Sequence, residues 1–227
     1  TVSSPVSWAR RCVKETGPAW VDGVQSRGVA ACAKHFPGHG DTTTDSHHDL
    51  PRIDAPLTVL HERELAPFRA AVDAGVATIM TSHIIVDALD PNRPATFSPT
   101  VLSVLRDDLG FTGVIVSDAL DMAGASAQTG IPEAAVRALL AGVDLLCLGS
   151  ATSAERYSAV PAAIVAAVEC GRLPRERVAQ AAGRVRDLAA ATAAHLPASH
   201  AGALPPPAPF AHGAVRPLAP PRVAAGR

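Results

Sequence analysis

The 227-residue chain lacks an excess of either charge: twenty Lys and Arg stand against twenty-one Asp and Glu, for a formal charge of −1. It also lacks a basic block that could track a phosphate backbone, so nucleic acid is not an expected partner. No stretch approaches the ~18 consecutive apolar residues of a membrane-spanning helix. Residues 1–25 show no basic start followed by an apolar core, the pattern of a leader peptide. The expectation is a cytoplasmic protein without membrane contact. Cysteine is sparse, and Cys12, Cys32, Cys147 and Cys170 are scattered, two of them inside apolar runs, which reads as reduced thiols. The CxxC pair and the HExxH helix, two specific metal signatures, are both missing.

What is present is a chain with 48% hydrophobic and 18% charged residues, a balance that supports a buried core and excludes disorder throughout. Four short apolar runs, Val29 to Ala33, Val76 to Thr81, Val114 to Ser117 and Val143 to Leu148, have the form of buried strands. Helical patterns alternate with them. Asp54 and Pro56 open one whose apolar face runs Leu57, Leu60, Leu65, Phe68 and Val72, with Gly75 as its stop. Ser98 and Pro99 open a second that ends at Gly110. Pro132 to Ala141, Ala154 to Cys170 and Pro174 to Ala194 complete the set. Alternation of this kind predicts an α/β fold with a parallel sheet, either doubly wound or a (β/α)8 barrel. Four strands alone do not close a barrel. From Pro197 onward the composition changes, with eight of the twenty prolines in that last segment. Residues 196–227 are therefore expected to be a disordered Pro-rich tail behind a domain at 1–195.

The densest chemical signal is Lys34-His35-Phe36-Pro37-Gly38-His39-Gly40-Asp41-Thr42, continuing through Asp45-Ser46-His47-His48. Four of the nine histidines fall between residues 35 and 48, in a polar loop where a packing role for all four is implausible. Taken alone, the cluster fits either a metal site or an acid/base site. The third strand tips the balance, since it ends in Val116-Ser117-Asp118 and sets a carboxylate at a strand's C-terminal end. A lone Asp there would be read as a helix cap. In a barrel, however, Lys34, His35, His83, Asp118 and Gly149 would face one mouth, where catalytic groups gather.

KHFPGHGDT followed by DSH, then MTSH, then VSDALDM, in this order, resembles the bacterial β-N-acetylglucosaminidases of glycoside hydrolase family 3. The resemblance runs from about Gly17 to Val185. It implies an incomplete (β/α)8 barrel of about four βα units. It also implies a retaining hydrolysis of terminal β-linked N-acetylglucosamine, with peptidoglycan turnover as the setting. In that reading Asp118 is the nucleophile, forming a covalent glycosyl-enzyme. His47, oriented by Asp45, is the general acid/base, and Asp121 the backup nucleophile. Histidine suits the role because both protonation states are accessible near neutral pH. Lys34 and His35 match the pair that binds the sugar, and His83 is expected to line the pocket or to pack as a bonded histidine. No metal and no cofactor are implied. The family's earlier strands have no counterpart before Gly28, and the chain begins at Thr1 rather than Met. The expectation is an upstream portion missing, weak activity alone and, as a partner, a polypeptide that completes the half-barrel. The alternatives are a phosphorolytic enzyme of the same family and a truncated, non-catalytic binding fragment.

Overall fold

The computed structural model describes residues 5–39, 51–127, 129–150 and 152–194. The chain divides into two units, Thr1–His195 and Leu196–Arg227; the second, where the Pro-rich tail was expected, lies outside the described residues.

The first unit is organised by three parallel strands, β1 (Cys32–Phe36), β3 (Thr78–Thr81) and β6 (Val114–Val116), in the order β1-β3-β6. A parallel bridge between Val116 and Leu145 adds a fourth member beside β6. The four expected apolar runs thus become four neighbours in one sheet, in chain order. Ile79 and Ile115 are fully buried at its centre, as strands covered on both faces require. Helices that follow the strands supply the cover: α3 (Leu65–Asp73) buries Leu65, Phe68 and Ala71, α4 (Pro99–Ser103) buries Val101 and Leu102, and α6 (Ile131–Ala141) buries seven of its eleven residues.

Two boundaries differ from the sequence reading. The first strand begins at Cys32 rather than Val29, which is 59% exposed. The reason is the side chain of Gln25, whose Oε1 accepts from Ala31 N–H at 3.4 Å and Ala77 N–H at 2.8 Å while its Nε2 donates to Gly75 O at 3.0 Å. Above that amide the ladder pairs Cys32 with Thr78 and Ala33 with Ile79, then slips across Lys34 and His35 before Phe36 meets Thr81. At the other edge, the run Val143 to Leu148 pairs only around Leu145, whose outer side is 39% exposed.

Ser98 caps α4 as its position predicts, accepting from Val101 N–H at 3.2 Å, and its hydroxyl also donates to Asp90 at 2.7 Å. Ser153 caps α7 (Ala154–Glu169) in the same way. The helix expected behind Pro56 is present, although it passes through a π-helical turn at Leu60–Glu64 between α2 (Leu57–Val59) and α3. Two features were not anticipated. Helix α1 (Pro5–Gln25) contains Gly17 and Pro18, which read as breakers, yet it packs Val21 into the main core. A second small sheet joins β2 (Arg52–Ile53) parallel to β4 (Ile85–Val86), and β4 antiparallel to β5 (Asp90–Pro94).

The helical layer is tied to the sheet by a buried carboxylate. Asp144 has no side-chain exposure and receives Arg106 at 2.5 Å, Arg177 at 2.7 Å and Arg184 at 3.1 Å, together with Ile115 N–H at 3.1 Å. Arg106 comes from the turn after α4 and also donates to Phe111 O and Gly113 O; Arg177 and Arg184 come from α8 (Arg175–Ala193). The Arg106 guanidinium is pushed down to about 10, chiefly by burial and also by the two neighbouring guanidinia, with Asp144 acting the other way. It remains charged at neutral pH. Three cations share one anion, so removing the anion leaves repulsion with nothing to offset it. Asp144→Ala is expected to cost about 3–5 kcal/mol of stability, read from urea denaturation, as breaking a buried ion pair does. A loss comparable to that of a surface pair would refute the central role given to this carboxylate.

Candidate active site

Parallel pairing sends the C-terminal ends of β1, β3 and β6 to one rim, and each end carries one of the polar motifs. Lys34 and His35 lie in the last turn of β1, Lys34 exposed and His35 half-buried. The peptide bonds Lys34–His35 and Phe36–Pro37 are both cis. The His35 ring meets that of His39 edge-on at 6.4 Å, and Gly38 N–H donates back to His35 O at 2.8 Å to close the turn. These residues line a cavity of about 600 Å³ together with Trp20, Glu64 and Phe68.

Asp118 follows β6 directly, half-buried, with its Oδ1 accepting from Ala119 N–H at 2.8 Å. The turn behind it is held by Leu120 N–H donating to Cys147 O at 2.9 Å and by Cys147 N–H donating to Ser117 Oγ at 2.9 Å. Asp121 lies so close to Gly149 that a Cβ on that glycine would fall 1.9 Å from its Oδ1. Asp118, Asp121, Met122, Gly149 and Ser150 line a separate cavity of about 610 Å³. The strand ends meet at one rim, and among the described residues His35 lines the first concavity and Asp118 the second. Strand β3 lies between them, which sets them about two strand spacings, roughly 10 Å, apart. Asp45 and His47 lie outside the described residues, as does His48.

His83 departs from the pocket-lining expectation. It is fully buried, stacks on Phe97 with ring centroids 5.9 Å apart, and has a protein partner at each ring nitrogen. Nε2 is 3.0 Å from Ala119 O and Nδ1 is 2.9 Å from Thr96 Oγ1. A carbonyl only accepts, so Nε2–H donates to it. Thr96 Oγ1, beside Nδ1, donates to Ser82 O at 2.9 Å and lies 2.8 Å from Thr81 Oγ1. This is the packing role, with both nitrogens committed away from a sugar. Thr96 and Ser82 had no role in the sequence reading. The MTSH motif was the available signal for Ser82, and nothing in the sequence marked Thr96.

The glycosyl hydrolase family 3 N terminal domain model matches residues 7–188. The β-hexosaminidase of Chromobacterium violaceum is 41% identical over 135 residues, 59% of this chain and 38% of the relative. The β-hexosaminidase A of Pseudoalteromonas piscicida is 35% identical over 193 residues, 78% of this chain and 32% of the relative. Among solved structures, a glycoside hydrolase family 3 β-N-acetylglucosaminidase from Paenibacillus sp. strain FPU-7 matches with a TM-score of 0.77 and 43% identity over 82% of this chain and 35% of that one. The chain belongs to the glycosyl hydrolase family 3 N-terminal domain family, an α/β fold of the (β/α)8 barrel type. It spans between 32% and 38% of the length of these relatives. Among the described residues no helix is long and apolar enough to cross a membrane.

Burial pushes the His83 imidazole below its ordinary value of 6.5, while the hydrogen bond to Ala119 O and the field of Asp118 act the other way. The unfolded chain takes up this proton near 6.5, whereas the folded chain holds the ring neutral to lower pH. Protonation therefore favours unfolding, and the contribution is complete above 6.5 and lost as pH falls below it. The melting temperature is expected to fall between about pH 7.5 and pH 5.5, with His83→Gln removing part of that slope. An unchanged slope in the variant would assign the acid sensitivity to other groups.

Proposed function

We propose that this chain carries the nucleophile and the acid/base of a retaining glycosidase that removes terminal β-linked N-acetylglucosamine. The observation that carries the reading is a carboxylate at the C-terminal end of a parallel strand, Asp118, inside a domain of the glycosyl hydrolase family 3 type. Its Oδ1 accepts from the next peptide N–H at 2.8 Å, which holds the carboxylate at the rim. Asp118 attacks the anomeric carbon, the glycosidic bond breaks as His47 protonates the leaving oxygen, and a glycosyl ester forms. His47 then takes a proton from water, which attacks the same carbon and releases the sugar with retention. Asp45 fixes the His47 tautomer and favours the imidazolium. Lys34 and His35 bind the sugar hydroxyls from the β1 side. Fragments from peptidoglycan turnover, which end in this sugar, are the substrates in view.

Because the chain covers about a third of its relatives, the proposal includes slow turnover alone and faster turnover when a polypeptide supplies the remaining strands. The test substrate is an aryl β-N-acetylglucosaminide with an activated leaving group. Release is expected to be slow and to disappear in Asp118→Asn. His47→Ala is expected to cost about 10²–10⁴-fold on poor leaving groups and far less on activated ones, the signature of a lost general acid. Equal losses on both kinds would remove His47 from that role. Sugar 1-phosphate as the product in phosphate buffer would replace hydrolysis by phosphorolysis.

A further inference from the structure

The end of the central strand makes contacts to both of its neighbours that the pocket itself does not use. Ser82 is 1% exposed, and its hydroxyl donates to Phe36 O at 2.8 Å, the carbonyl next to His35 at the end of β1. His83, the next residue, donates from Nε2 to Ala119 O, the carbonyl just past Asp118 on the β6 side. Both residues lie just past β3, His83 in a bend, between the two flanking segments they contact. We propose that Ser82 and His83 are positioning residues that clamp the Lys34–His35 segment and the Asp118 turn to the central strand, and so fix the separation between sugar-binding and nucleophilic groups. This rests on the functional reading above and deepens it.

The orientation of both donors is itself secured. Ser82 O accepts from Thr96 N–H at 3.2 Å and lies 2.9 Å from Thr96 Oγ1. Thr96 Oγ1–H donates to the same carbonyl, which fixes the hydroxyl oxygen 2.9 Å from His83 Nδ1. Ala119 O can only accept, so the ring proton of His83 sits on Nε2 and is directed to that carbonyl. Phe97 stacks against the ring and has the Arg137 guanidinium 5.1 Å over its own face, which limits rotation of the imidazole. The peptide between Ala119 and Leu120 is then gripped at both ends, its oxygen by His83 and its N–H by Cys147 O. A residue present only to fill space would need neither donor.

Amide hydrogen exchange of the whole chain separates clamping from packing. His83→Phe keeps the ring and loses the donor, while His83→Gln keeps a donor at a similar reach and loses the ring. His83→Phe is expected to speed exchange at Ala119 and Leu120 by about tenfold, with Ile79 and Ile115 unchanged, and His83→Gln to stay near wild type. Ser82→Ala is expected to act on Gly38, whose N–H closes the turn after His35, and not on Ala119. Wild-type protection in His83→Phe, or equal loss in both His83 variants, overturns the clamp. Should a variant fail to fold, nitrogen-15 spectra of the wild-type imidazole decide: a ring protonated at Nε2 alone is expected, and an Nδ1–H tautomer overturns the proposal. In the kinetic arm, His83→Phe is expected to lower kcat by about tenfold with KM little changed, and His83→Gln to recover it. A wild-type chain without any glycosidase activity would refute the functional reading and leave the exchange and tautomer results standing as the test of the clamp.

Discussion

Parallel pairing is the constraint on which the rest of the molecule depends. Once β1, β3 and β6 run in the same direction, their C-terminal ends share one rim, and every residue placed just beyond a strand arrives there together. The chain uses that rim consistently: a lysine and two histidines follow the body of the first strand, a Ser-His pair the second, and an aspartate the third. Antiparallel pairing of the central strand would have sent Ser82 and His83 to the opposite end of the sheet from His35 and Asp118. The chemistry thus follows from topology before any individual contact is considered.

The parts of the fold that were readable had a physical signal spread over several residues. Fully buried strands such as Val114–Val116 appear as unbroken β-branched runs, and Ser98-Pro99 marks a helix start because a hydroxyl cap and a residue without an N–H both suit that position. The unreadable parts had no such extent. Two-residue strands like Arg52–Ile53 are too short to show a period, and Gly17-Pro18 argues locally against a helix that tertiary packing through Val21 nevertheless sustains. The start of β1 was misjudged because a single distant side chain, Gln25, replaces the ladder beneath it.

For the site, residue identity was legible and residue role was only partly so. The places of Lys34 and Asp118 at strand ends were legible from motif and pattern. His83 could not be sorted between pocket wall and packing, because that depends on Thr96 and on the carbonyl of Ala119, residues 13 and 36 positions away. The same holds for Asp144, whose three arginine partners are scattered across the α4–β6 turn and α8.

That cluster has a consequence for how the molecule opens. Among the described residues of α8 only Ala181 is buried, so the helix is attached through Arg177 and Arg184 more than through apolar area. A segment held at two ionic points over a thin greasy seam detaches as a piece, at a lower free energy than the sheet it covers. Breathing of the native state should therefore begin there, uncovering Leu139, Leu146 and Ile164 while the rim of strand ends stays assembled.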